Sequence, residues 1–66
     1  MIEIIGTVAG QIWRYLDTNG ESTPIQIKAN LGLSNTMLYL ALGWLSRENK
    51  VSITPHEYTY KISLIR

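Results

Sequence analysis

The stretch Leu31–Val51, LGLSNTMLYLALGWLSRENKV, decides the fold. Leu31-Gly32-Leu33-Ser34 ends one helix, turns and caps the next. Glycine tolerates the left-handed conformation past a helix end, and a serine oxygen accepts from the free N–H groups of a helix start. Leu38, Ala41, Leu42 and Leu45 then recur at helical spacing, and Arg47-Glu48-Asn49-Lys50 closes the helix before a β-branched run. This is the punctuation of the second helix of a helix-turn-helix leading into the first strand of a wing. The outward positions of that helix hold Tyr39, Leu40, Gly43 and Trp44, where a DNA-reading helix would be expected to carry arginines and lysines.

Upstream, Thr23-Pro24-Ile25-Gln26 is a strong start signal. Thr23 suits the N-cap, Pro24 fits the first helical position, and Gln26 reaches back as in a capping box. The spacing predicts a short helix over Pro24 to Leu31, with Ile27 and Leu31 one turn apart on its inner face. Before it, residues 2 to 18 read as a longer helix, with Ile5, Val8, Ala9, Ile12 and Leu16 spaced by threes and fours. Asn19-Gly20 ends it, Gly20 being suited to the left-handed conformation. Downstream of Lys50 the period changes to two. Val51 and Ile53 alternate with Ser52 and Thr54, Pro55-His56-Glu57 interrupts, and Tyr58, Tyr60, Ile62 and Leu64 alternate with Thr59, Lys61, Ser63 and Ile65. Three helices followed by an antiparallel hairpin make a mostly α (α+β) winged helix-turn-helix, one domain over residues 1–66.

Composition narrows the function classes. Sixty-six residues lie at the low end of what one hydrophobic core stabilises unaided, and the absence of cysteine removes disulfides and thiolate metal sites. A single histidine, His56, leaves no imidazole cluster for a transition metal. Dense packing or oligomerisation remains, and 45% hydrophobic against 17% charged residues leans towards oligomerisation. A net charge of +1 gives no global attraction to phosphates or anionic membranes. Met1-Ile2-Glu3 does not read as a secretory signal, and the apolar-rich run Ile4 to Trp13 is too short to span a bilayer. The expectation is a cytoplasmic protein with no cofactor, no metal and no small-molecule substrate. Ser22, Ser34, Ser46 and Ser52 have only His56 as a pairing base, and no carboxylate pair falls in a predicted cleft. A binding module is therefore expected rather than an enzyme.

Gly6-Thr7-Val8-Ala9-Gly10-Gln11-Ile12-Trp13, together with Ala41-Leu42-Gly43-Trp44-Leu45-Ser46-Arg47-Glu48-Asn49-Lys50, resembles the small stand-alone winged helix-turn-helix family of unknown function found in bacteria and archaea. The resemblance covers nearly the whole chain, and the ALGWLxRENK run is its most specific part. It implies a winged-helix fold and, by analogy, a DNA-associated role. It carries over no catalytic residue and no ligand.

Two sets of residues compete for function. A DNA-reading helix needs groups that hydrogen-bond base edges, flanked by cations or amides for phosphates. Asn35, Thr36 and Tyr39 on the third helix, with Arg47 near its end and Lys50 just beyond, are the candidates for double-stranded DNA. As ordinary C-terminal residues, Arg47 and Lys50 are explained more simply as complements of the helix dipole. Leu40 and Trp44, at i and i+4, form an apolar ridge on the same helix. Either the hairpin or the first helix wraps far enough to make Trp44 core, or the ridge is a self-association or partner surface. Gly6 and Gly10 form a flat on the first helix, with Trp13 following on that side. Each glycine in a helix interior costs about 0.5–1 kcal/mol relative to alanine, which suggests a close approach at that surface. An indole of the same chain lying on the flat would account for them, as would a second copy crossing there. Gly6, Gly10, Trp13, Leu40 and Trp44 are thus the candidate protein-interface residues, and the expected partner is a second copy in a homodimer. The wing, Thr54-Pro55-His56-Glu57-Tyr58, carries an acid and one histidine where a DNA-contacting wing offers Arg or Lys.

Overall fold

The computed structural model describes residues 1–66. Three helices, α1 (Ile2–Asn19), α2 (Pro24–Leu31) and α3 (Asn35–Arg47), precede strands β1 (Val51–His56) and β2 (Thr59–Leu64). Each boundary has a local cause. At the start of α2, the Gln26 N–H donates to Thr23 Oγ1 at 3.3 Å and the Thr23 N–H donates to Gln26 Oε1 at 2.9 Å, so both halves of the capping box form. Its end is a Schellman turn, with Gly32 at φ 65 and ψ 39 and the Leu33 N–H donating to the Lys28 carbonyl at 3.0 Å. Ser34 Oγ then accepts from the Met37 N–H at 3.1 Å and caps α3. The same device closes α3: Asn49 adopts φ 58, its N–H donates to Ser46, and the Lys50 N–H donates to Leu45.

Gly20 behaves differently from expectation. Its φ of 78 is positive as predicted, but its ψ of −164 is extended rather than left-handed helical, a region open essentially to glycine alone. The extended path delivers the chain into a bridge that the periodicity did not reveal. Ser22 pairs with Ile62, through Ser22 N–H to the Ile62 carbonyl at 3.0 Å and the reciprocal bond at 2.8 Å. Ser22 is buried, and its hydroxyl donates to the Gly20 carbonyl at 2.9 Å. The segment between α1 and α2 therefore pairs with the edge of the hairpin and ties the wing to the helices.

The hairpin is tighter than the sequence suggests. Pro55 and His56 belong to β1, opposite Tyr60 and Thr59, so only Glu57 and Tyr58 form the turn. Proline is tolerated because the two-stranded sheet leaves an open edge. Glu57 sits at φ 55, a conformation that hairpin turns normally assign to glycine or asparagine.

The core gathers Val8, Ala9, Ile12 and Leu16 from α1, Ile27 from α2, Leu38, Ala41, Leu42 and Leu45 from α3, Val51 from β1 and Ile62 from β2. These are inward positions of the 3.6- and 2-residue patterns, but not all of them. Ile5, Leu31 and Leu64 are half-buried, and on the hairpin Ile53, Tyr58 and Tyr60 are exposed, so of its alternating residues only Val51 and Ile62 reach the core. Fully burying a side chain such as Ile12 or Leu38 stabilises by about 1.5–3 kcal/mol. Every buried side-chain N or O atom has a hydrogen-bond partner.

Candidate functional site

The outward surface of α3 divides into two flanks. Asn35, Thr36, Tyr39, Gly43, Ser46 and Arg47 follow one another at helical spacing on the side away from the core, and all are exposed. Tyr39 is 54% exposed, so its ring stands in solvent. Leu40 and Trp44 lie along the other flank, nearer α1. Leu40 is exposed, whereas Trp44 is half-buried and packs against the core. The two sets of candidates drawn from this helix therefore occupy neighbouring strips and do not exclude one another.

Cations are sparse on the first strip. Arg47 is the one basic residue within α3. Lys50 does not extend that strip, because the turn after the helix carries it to the rim of the α1–α3 cleft beside Glu48. Two other cations are already engaged: Lys61 with Glu21 at 3.4 Å and Arg66 with Asp17 at 2.5 Å. Lys28, in the last turn of α2, is the remaining cation of the helix-turn-helix unit. Nothing in the sequence but its place in the short second helix distinguishes it. At the wing tip, His56 and Glu57 are exposed and Tyr58 is fully so. No group of three or more His, Cys, Asp or Glu side chains comes together anywhere in the chain.

The second set assembles into one place. Gly6, Ala9, Gly10 and Trp13 of α1 and Trp44, Leu45 and Glu48 of the α3 end line an open cleft of about 280 Å³, with Lys50 at its edge. Leu40 stands one helical turn from Trp44 on the same ridge, outside the lining. The cleft answers a question that the sequence left open. A Cβ at Gly6, Gly10 or Gly43 would meet nothing within 4 Å, so no side chain of this chain rests on those glycines. The account in which an indole of the same chain fills the glycine flat is overturned. Trp13 is half-buried but does not join the side chains packed against the core, whereas Trp44 does.

A mostly helical domain with a capped second and third helix, a tight glycine turn between them and a C-terminal hairpin is a winged helix-turn-helix. The chain belongs to the family described as "Winged helix-turn-helix domain (DUF2582)", whose model matches residues 1–64. The description names a fold and no activity. Comparison with curated proteins yields no match. No helix is long and apolar enough to cross a membrane.

Proposed function

We propose that this chain is a DNA-associated module of the transcription-regulator type that works as a homodimer. The observation that supports it best is the state of α3. Its outward strip from Asn35 to Arg47 is uncovered by α1 or by the hairpin, and Arg47 is in neither ion pair. In a helix-turn-helix this is the surface presented to the major groove, with residues near the helix start closest to base edges. Asn35 and Thr36 offer amide and hydroxyl groups there, Tyr39 offers a phenol, and Arg47 and Lys28 offer charge to phosphates. With so few cations, binding depends on about two or three phosphate contacts per monomer, and the log–log salt slope is about −2 to −3.

The test is a titration of labelled duplex at several salt concentrations with the wild type and Arg47→Ala. The variant is expected to bind more weakly across all sequences and to lower the salt slope by about one. Unchanged duplex binding by a folded Arg47→Ala would rule out α3 as the reading helix. A second reading, a protein-interaction module that keeps the fold without DNA, is favoured by the 42% exposure of Leu40 beside the half-buried Trp44. Under it, Arg47→Ala changes nothing and Trp44→Ala abolishes association with the partner.

A further inference from the structure

We infer that the homodimer forms through an antiparallel pairing of α1 with α1 of a second copy, centred on Gly6 and Gly10 and closing over the α1–α3 cleft. The inference rests on the homodimeric part of the proposed function and is independent of DNA binding. Ile2, Gly6, Ala9, Gly10 and Trp13 fall on one flank of α1 by helical periodicity. Ala9 lies at the edge of the core, and the others face outward or half outward. Both glycines lower the stability of the isolated helix, and nothing within the chain occupies the space that their missing side chains leave. That space admits a helix backbone at short range.

The occupant is identified by what flanks the glycines. Glu3 and Ile2 lie roughly 8 Å of helix rise before the midpoint of the pair, and Trp13 and Arg14 lie roughly 8 Å after it. A two-fold axis through that midpoint, perpendicular to the helix, brings Glu3 of each copy towards Arg14 of the other, and Ile2 of each onto Trp13 of the other. Glu3 and Arg14 are exposed and take part in neither ion pair of the chain, while Ile2 is 67% exposed. A parallel pairing would instead set Glu3 against Glu3 and Arg14 against Arg14. The charges therefore select a second copy of this chain and its antiparallel orientation. At the cleft rim the acid Glu48 and the base Lys50 offer the same self-complementary pattern. Trp13, half-buried without resting on the core, gains in the dimer the apolar cover that it lacks in the monomer.

Sedimentation equilibrium of the full chain over a concentration series tests this, with thermal unfolding followed in parallel. The wild type is expected to be dimeric at hundreds of micromolar. Gly6→Gln and Gly10→Gln place a polar, helix-favouring side chain in open space, so each leaves the dilute protein folded while weakening the dimer at least about ten-fold. Glu3→Arg and Arg14→Glu each weaken it by about three-fold, and the double exchange restores it. A wild type that stays monomeric at those concentrations overturns the inference, as does a dimer unmoved by either glycine variant or a double exchange that fails to restore. Duplex titration keeps the two proposals separate. A monomer that binds duplex overturns the α1 pairing and leaves the reading helix standing, whereas a glycine-sensitive dimer indifferent to duplex does the reverse.

Discussion

Replacing Gly43 with alanine separates helix propensity from packing on α3. Gly43 is exposed, has no positive φ, and a Cβ there meets nothing within 4 Å. The methyl group therefore neither clashes nor fills a hole, and what remains is the intrinsic preference for alanine in a helix interior, about 0.8–1.0 kcal/mol. Unfolding entropy near 2.1 cal/mol/K per residue gives roughly 0.14 kcal/mol/K for a chain of this length, so the melting midpoint should rise by about 6 °C. Scanning calorimetry at one dilute concentration measures it, because a concentration-dependent dimer would otherwise shift both midpoints. Gly32→Ala is the control of opposite sign. Gly32 sits at φ 65 and ψ 39, where a side chain costs about 1–2 kcal/mol, so its midpoint should fall by about 7 °C or more. Gly43 also lies in the middle of the strip between Tyr39 and Arg47. If α3 reads DNA, its methyl group meets the duplex, and affinity falls while stability rises. A lowered midpoint for Gly43→Ala would refute the reasoning, since it would mean that something presses on that position.

Thr23→Ala removes the acceptor that holds the Gln26 N–H and should destabilise the protein by about 1 kcal/mol in chemical denaturation, with the m-value unchanged. Glu57→Gly relieves a non-glycine residue held at φ 55 in the wing turn, and should stabilise by roughly 1 kcal/mol in the same experiment. A neutral result there would show that the Glu57 side chain has a compensating contact.

Most of the architecture was legible in the sequence because local chemistry dictates it. The Thr23–Gln26 capping box, the Gly32 turn and the Ser34 cap are interactions within a few residues, and the structure contains all three. The inward sets of α1 and α3 follow from a 3.6-residue period that no distant contact has to adjust. The bridge between Ser22 and Ile62 was hidden, because residues so far apart in the chain meet only once the wing folds back on the helices. Gly20 ends the helix as its sequence indicates, but it is extended rather than left-handed helical, since its ψ is set by the path that leads to that bridge. The wing turn is likewise shorter than its sequence implies, because strand pairing at an open edge overrides the break expected at Pro55.

The same division runs through the candidate site. Composition and spacing determined which residues were unusual: glycines at positions 6, 10 and 43, tryptophans at 13 and 44, and few cations along the third helix. Only the tertiary structure decided that the glycine flat is open, that Trp44 belongs partly to the core, and that Lys50 leaves the α3 strip for the cleft rim. The physical reason is that helical periodicity gives the angle of a side chain about its own axis. Which neighbour occupies that angle depends on how α1 crosses α3, and that crossing is set by the whole core at once.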